Sequence, residues 1–251
     1  MVHPVAEQLE KHLIGLADYT RLDETRQQFL ERGVVRVPFL APEAVKELLA
    51  IEVEGLITSH GRRHDLVFPE TGNSQRHMCN VRRDQIKAFG SIIPGLYCVP
   101  ALREVLTIIA GEEVLECPYE PEQFVITALD QPGDTHGWHW DDYSFALVWV
   151  IDCPPVADGG FVQCVSHTEW DKNDPRLHWW FVTRPIYSID LVPGDLYLMR
   201  TDTTLHRVYP VTGGRRLIVN MSYASSRDLM KQISHETMDN LWPVGGPPIT
   251  S

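Results

Sequence analysis

Four residues of this chain are of the right types and spacing to act together: His139, Asp141, His206 and Arg216. His139 and Asp141 stand two apart in His136-Gly137-Trp138-His139-Trp140-Asp141-Asp142. In extended chain, residues two apart face the same way, so both can reach one point while Trp140 faces away. His206, 67 residues on, opens another strand shortly after the turn at Pro193-Gly194-Asp195. Two imidazoles and one carboxylate on one triangular face of a metal leave three adjacent positions open. That is the donor set of a non-haem iron(II) centre with room for a chelating co-substrate and O2. A His-x-Asp pair alone is as readily two surface-loop residues; its company gives it weight. In Arg216-Leu217-Ile218-Val219-Asn220-Met221-Ser222, alternation puts Arg216, Ile218, Asn220 and Ser222 on one face. A guanidinium there offers a planar fork to a carboxylate deep in a barrel, whereas adjacent Arg215 reads as an exposed strand-end charge.

Such a site needs strands to hold it, and the pattern changes to strands after Glu112. Segments 123–129, 145–151, 160–166, 186–191, 196–200, 206–211 and 215–223 are short, rich in apolar and β-branched residues, and separated by Gly, Pro and Asp turns. They predict an antiparallel double-stranded β-helix, or jelly roll. Ahead of them, Val5, Leu9, Leu13 and Leu16 mark one face of a helix, and a polar helix runs from Leu22 to Arg32 and ends at Gly33. A short strand follows at Val34–Val37. Pro42 then opens a helix whose buried face is Val45, Leu48, Leu49, Val53 and Leu56, and a further helix covers Ala101–Ala110. From Gly61 to Pro94 the pattern weakens and reads as a long loop able to serve as a lid. The expected architecture is a mainly β single domain, 1–251. Residues 1–111 give helical support on one face and the lid region, 112–226 the jelly-roll core and 227–251 a C-terminal segment.

With 251 residues and 43% apolar content, the chain can bury a sizeable core. Its formal charge of -12 disfavours nucleic acid and anionic membrane surfaces as partners. No apolar run reaches the roughly 18–20 residues of a membrane span. The start (Met1, His3, Glu7) lacks the features of a signal peptide, so a cytoplasmic location is expected. Five widely spaced cysteines predict neither disulfides nor a zinc ribbon and read as small buried hydrophobes.

In its strand order and in the series His139-x-Asp141, His206 and Arg216, the chain resembles the Fe(II)/2-oxoglutarate-dependent oxygenases over roughly Glu112–Ser226. Within them it is similar to the group acting on free amino acids, the radical halogenases of lysine and ornithine and the lysine hydroxylases. The resemblance implies Fe(II), 2-oxoglutarate and O2, with His139, Asp141 and His206 as metal ligands and catalytic centre and Arg216 as the co-substrate anchor. It also implies a histidine three before the first metal histidine and an aspartate after the His-x-Asp pair, matched by His136 and Asp142. An upstream arginine and a strand glutamate act on substrate in that group; Arg76 and Glu122 are the candidates here. The halogenases have Gly or Ala where this chain has Asp141, because chloride takes the vacated position. That departure shifts the expectation from C–Cl to C–OH formation.

A free basic amino acid carries one carboxylate and two ammonium groups, so its site needs a guanidinium and one or two carboxylates in a partly dry cavity. Arg76, Glu122 and Asp142 supply those charges, with His136, Ser222 and Trp242 as further substrate contacts. Arg82 and Arg83 compete with Arg76, and Trp242 can equally pin the C-terminal tail to the core. Trp149, Trp179 and Trp180 are expected in the core as strand aromatics, and His167, His178 and His235 as structural or surface residues. The expected activity is hydroxylation of an unactivated C–H bond of a free amino acid, lysine foremost. Ornithine, another polar amino acid, a carrier-bound residue and a non-catalytic metal-binding sensor remain open, as does a homodimer.

Overall fold

The computed structural model describes residues 3–16 and 19–242. Met1 and the last part of the C-terminal segment, from Pro243 on, lie outside the described residues. Apart from short 3-10 turns, the N-terminal elements are α1 (Pro4–Ile14), α2 (Tyr19–Arg32), β1 (Val34–Arg36), α3 (Glu43–His60), β2 (Arg62–Phe68), β3 (Ser74–Val81), α4 (Arg83–Phe89), α5 (Ile92–Tyr97) and α6 (Pro100–Ala110). Then come β4 (Leu115–Glu116), β5 (Phe124–Leu129), β6 (Thr135–His139), β7 (Phe145–Asp152), β8 (Val162–Val165), α7 (Leu177–Thr183), β9 (Tyr187–Ile189), β10 (Leu196–Arg200), β11 (Leu205–Val208), β12 (Arg216–Ala224) and α8 (Glu236–Leu241).

The strands form an antiparallel sheet in the order β1-β10-β7-β12-β5-β3-β6-β11-β8-β9, with β2 on β3 and β4 on β12. It curls as a jelly roll does. The join is β3: one edge takes β2, while the other takes β6 at Arg76–His77 and β5 at Cys79–Val81. It thereby spans the point where β5 and β6, consecutive in the chain, diverge.

Period-two alternation decides what each strand offers to either side. Leu217, Val219, Met221 and Tyr223 of β12 join Phe145, Leu147 and Trp149 of β7 and Phe124, Ile126 and Ala128 of β5 in one buried cluster with the helices. The helical contribution includes Leu9, Leu13, Phe29, Val45, Leu49, Val53, Leu102 and Leu106. The intervening residues, Val125, Thr127, Ala146, Val148, Ile218, Asn220 and Ser222, face a cavity inside the curl. Burying one strand face under helices thus fixes the register of the other, since a one-residue slip would turn the apolar set into the cavity.

Three expectations are corrected. The stretch 61–94 is largely ordered as the β2–β3 hairpin followed by α4 and α5. Its pattern misleads because β2 is an edge strand, whose Arg62 and Asp65 face solvent as edge charges do while Arg63 reaches the buried Asp134. Leu48 is exposed on α3, and Trp179 lies half-exposed on helix α7 while Trp149 and Trp180 are buried. All five cysteines are free thiols, and among the described residues no helix is long and apolar enough to cross a membrane. Gly33, at φ 68°, reverses the chain from α2 into β1, a backbone conformation that costs glycine little.

Candidate active site

His139 and His206 are direct cross-strand partners in the β6–β11 ladder. Opposed residues of an antiparallel pair present their side chains on the same face. The two imidazoles therefore stand together, with ring centroids 4.1 Å apart. Asp141 follows β6, its backbone N–H donating to the Thr201 carbonyl at 3.3 Å. One of its carboxylate oxygens lies 3.6 Å from His139 Nε2, and one donor atom from each of the three residues falls within 4.8 Å of the others.

The surroundings of this triad fit a divalent metal. His139 Nδ1 lies 2.6 Å from the Gly137 carbonyl and His206 Nδ1 2.8 Å from the Thr204 carbonyl. A carbonyl only accepts, so Nδ1 of each ring carries the proton and Nε2 is left as the lone-pair donor, the tautomer a metal needs. Burial lowers the pKa of both imidazoles, which keeps them neutral. Burial also raises the Asp141 carboxyl, against the pull of His206 and Arg76. A bound cation would reverse that shift.

His136 reaches the same interior by an irregularity. Three residues from His139, it would face the opposite side of a straight strand. In the ladder, however, His206 pairs with His139 and Val208 with His136, so two residues of β6, Gly137 and Trp138, oppose the single Arg207 of β11. Both rings then turn inward and stack with centroids 3.7 Å apart. Gly137 between them is required, since a Cβ there would run into the Gln75 carbonyl of β3.

Two arginines are buried without carboxylate partners among the described residues. Arg216, 1% exposed, has only the Tyr197 hydroxyl at 3.2 Å and Cys153 Sγ at 3.7 Å. Arg215 turns to the other side and pairs with Glu54 and Asp152. Arg76, 2% exposed, is paired in register with His136 and sits over the Phe68 ring, and its Nε and one terminal nitrogen have no hydrogen-bond partner. Burial pulls its pKa down to about 10. Arg83 instead pairs with Glu120, and Arg82 precedes helix α4. A buried guanidinium without a counter-ion is costly unless an anion completes it, so both are suited to receive one.

The cavity encloses about 970 Å³ of non-atom space, its open mouth included, and its walls carry the metal triad, Arg76, His136, Glu122, Asp142 and Ser222. Glu122 and Asp142 gather with His235 within 4.8 Å. His235 was expected to be structural or surface, and that is corrected. Its Nδ1 stands 3.8 Å from Glu122 and 3.7 Å from Asp142, with its ring stacked on Tyr119. Burial pushes the Glu122 carboxyl up to about 8, with Asp142 and Asp141 adding to the rise against His235. Trp242 does not line the cavity; its ring meets His64 edge-on, and Thr237, Met238 and Leu241 of α8 close the wall instead. Lys172 and His235 were missed because nothing in their sequence spacing ties them to residues thirty or more positions away. Asn220, whose Oδ1 is buried without a partner on the cavity side of β12, was signalled by the same alternation as Arg216.

The fold is that of 2OG-Fe(II) oxygenases, and the triad offers the two-imidazole, one-carboxylate donor set of a non-haem iron centre. The chain belongs to the Halogenase D (HalD) family, whose model matches residues 17–243. In fold it is similar to the epimerase SnoN in complex with Fe3+, alpha ketoglutarate and nogalamycin RO, with a TM-score of 0.64, 16% identity and coverage of 93% of this chain and 94% of that one. AviO1 from Streptomyces viridochromogenes Tue57 gives a TM-score of 0.60 at 16% identity over 81% of this chain and 95% of that one. A prolyl hydroxylase from Trichoplax adhaerens, in complex with a hypoxia inducible factor peptide fragment, gives 0.58 at 12% over 86% and 99%. No curated protein matches the chain in sequence.

Proposed function

We propose that this protein hydroxylates an unactivated C–H bond of a free amino acid with a cationic side chain, lysine being the foremost substrate. The observation that carries the reading is the charge layout of one cavity: a metal triad, the buried Arg76 guanidinium without a carboxylate partner and a buried Glu122 on its walls, with Arg216 buried behind the wall residue Tyr197. Bound iron and 2-oxoglutarate would supply the oxidising chemistry, with 2-oxoglutarate, O2 and R–H going to succinate, CO2 and R–OH. His139, Asp141 and His206 would hold the ion, and Arg216 the far carboxylate of the co-substrate. Arg76 is suited to the substrate carboxylate, and Glu122 to its side-chain ammonium. His136 and Ser222 border the space between, and the α8 wall excludes water. Trp242 acts on this wall from behind.

The family's description favours a second reading, halogenation. Asp141 opposes it, since a carboxylate in the donor set takes the position a halide would need. An amino-acid panel incubated with Fe(II), 2-oxoglutarate, ascorbate and O2 decides by product mass, a gain of one oxygen against a gain of chlorine. If no amino acid raises succinate above the substrate-free level, the amino-acid reading is wrong.

Two expected outcomes arise at this site. Arg216→Lys raises the KM for 2-oxoglutarate about 10- to 100-fold, because one ammonium cannot make the two parallel bonds of the fork and a charged hydrogen bond is worth about 1.5–3 kcal/mol. Arg215→Lys has little effect, and the reverse ranking in succinate assays would exchange their roles. The second concerns pH. A substrate ammonium binds the ionised form of Glu122, whose carboxyl is raised to about 8. The KM for a cationic amino acid therefore falls about tenfold from pH 7 to pH 9, and Glu122→Gln flattens this profile. A pH-independent KM in the unsubstituted enzyme would remove Glu122 from the ammonium site.

A further inference from the structure

One carboxylate of the cavity wall, Asp142, already has a cation beside it. Lys172, in the segment between β8 and α7, places Nζ 2.7 Å from Asp142 and 2.8 Å from Glu236. It donates to the Ser234 carbonyl at 2.6 Å and lies 4.7 Å from the Trp170 ring centroid. Its hydrogen bonds go to Ser234 and Glu236, which lead into and open α8, and its charge lies against one carboxylate of the cavity wall; Thr237, Met238 and Leu241 of that helix cover the cavity. Asp142 is almost wholly buried, with 3% of its side chain exposed. Removing Lys172 would leave this buried charge with only the His235 ring, 3.7 Å away, beside it. The cover has other tethers as well: His235 stands beside Glu122 and Asp142 and stacks on Tyr119, Trp242 meets His64, the Tyr119 hydroxyl donates to Asp239 at 3.0 Å, and Met238 and Leu241 pack on Met78, Leu129, Val208 and Val211. Of the two cavity carboxylates beside His235, Asp142 is taken by Lys172, and Glu122 has no lysine or arginine within ion-pairing distance among the described residues.

We propose that Lys172 is a specificity-determining residue: its ammonium fills the cation place beside Asp142 and clasps the 234–242 cover to it, leaving Glu122 as the one carboxylate at this end for a substrate ammonium. The second half of this inference rests on the proposed function; the clasp does not. Substituting Lys172 frees Asp142 for an external cation, which moves selectivity toward substrates with more positive charge and no carboxylate.

The test uses the full chain, with Lys172→Met, Lys172→Ala and Lys172→Arg. Hydrogen exchange without amino acid is expected to quicken at least tenfold over 234–241 in Lys172→Met and to stay near the unsubstituted rate in Lys172→Arg. Ethylammonium chloride is expected to raise the Tm of Lys172→Ala saturably and by clearly more than it raises that of the unsubstituted protein, in which only Glu122 is open to an ammonium. For selectivity, the ratio of kcat/KM for pentane-1,5-diamine over lysine, read as stimulated succinate formation, rises at least tenfold in Lys172→Met and returns in Lys172→Arg. A merely structural lysine would lower both rates together and leave the ratio unmoved. Unchanged exchange, absent rescue by ethylammonium, or an unmoved ratio each overturns the proposal. If lysine fails to stimulate the unsubstituted enzyme, the proposed substrate is wrong, and exchange and rescue still decide the clasp.

Discussion

His206→Ala, and equally His139→Ala, abolishes turnover and weakens Fe(II) binding by more than the roughly 10- to 100-fold that loss of a ligand-orienting partner costs. Each imidazole supplies one of three protein bonds to the ion, and its Nδ1 is already committed to a backbone carbonyl, Gly137 in one case and Thr204 in the other. Nothing nearby takes its place. His136, stacked on His139, is the nearest further imidazole. The backbone of β6 and β11 carries the geometry through their ladder, so the fold tolerates either substitution; metal affinity measured by titration separates ligand loss from misfolding monitored by circular dichroism. Activity and Fe(II) affinity at the unsubstituted level in either variant would exclude that residue from the centre.

Asp141→Gly carries the second large effect. Removing the carboxylate leaves two neutral imidazoles and opens a position beside them, while a buried acid whose charged form burial disfavours disappears from the metal-free protein. Hydroxylation and Fe(II) affinity are expected to fall by at least about 100-fold, again beyond the cost of losing an orienting partner. In concentrated chloride, product mass reports whether the opened position admits a halide, with the chlorinated amino acid as a minor product. Absence of chlorination leaves the ligand assignment intact, because halide transfer also needs donors to hold the ion and a substrate carbon placed away from the competing oxygen. Hydroxylation at the unsubstituted rate with an unchanged Fe(II) requirement is the decisive contrary result. It would strike Asp141 from the donor set and make Asp142 and His136 the next residues to substitute.

The clasp at Lys172 bears on how such variants are read. A substitution at Asp142 removes a carboxylate of the cavity and also leaves the Lys172 ammonium short of its partner. Asp142→Asn therefore combines a loss of substrate charge with a loss of the Lys172 ion pair, whereas Glu122→Gln leaves that ion pair intact and alters only the contact with His235 beside the substrate charge.

Local periodicity determined a good deal of this protein without any structure. The helices α1, α3 and α6 and the strands β5, β7, β10 and β12 follow from apolar spacing, because each buries one face and the spacing of that face is fixed by backbone geometry. The same rule separated Arg216 from Arg215 and put His139 and Asp141 on one side of the chain. Other features are properties of pairing, and no single segment contains them. His139 and His206 meet because two strands far apart in sequence run antiparallel in one register, and His136 joins them only through the bulge in that ladder. The β2–β3 hairpin escaped notice because an edge strand with one charged face carries a weak hydrophobic signal. Lys172, His235, Asp142 and Glu122 come together because a loop, a C-terminal helix and the end of a metal-bearing strand converge over one cavity. Electrostatic partnership depends on distance through space, which sequence spacing reports only within a helix turn or along a strand, so the metal triad was legible and the cation that sits beside it was not.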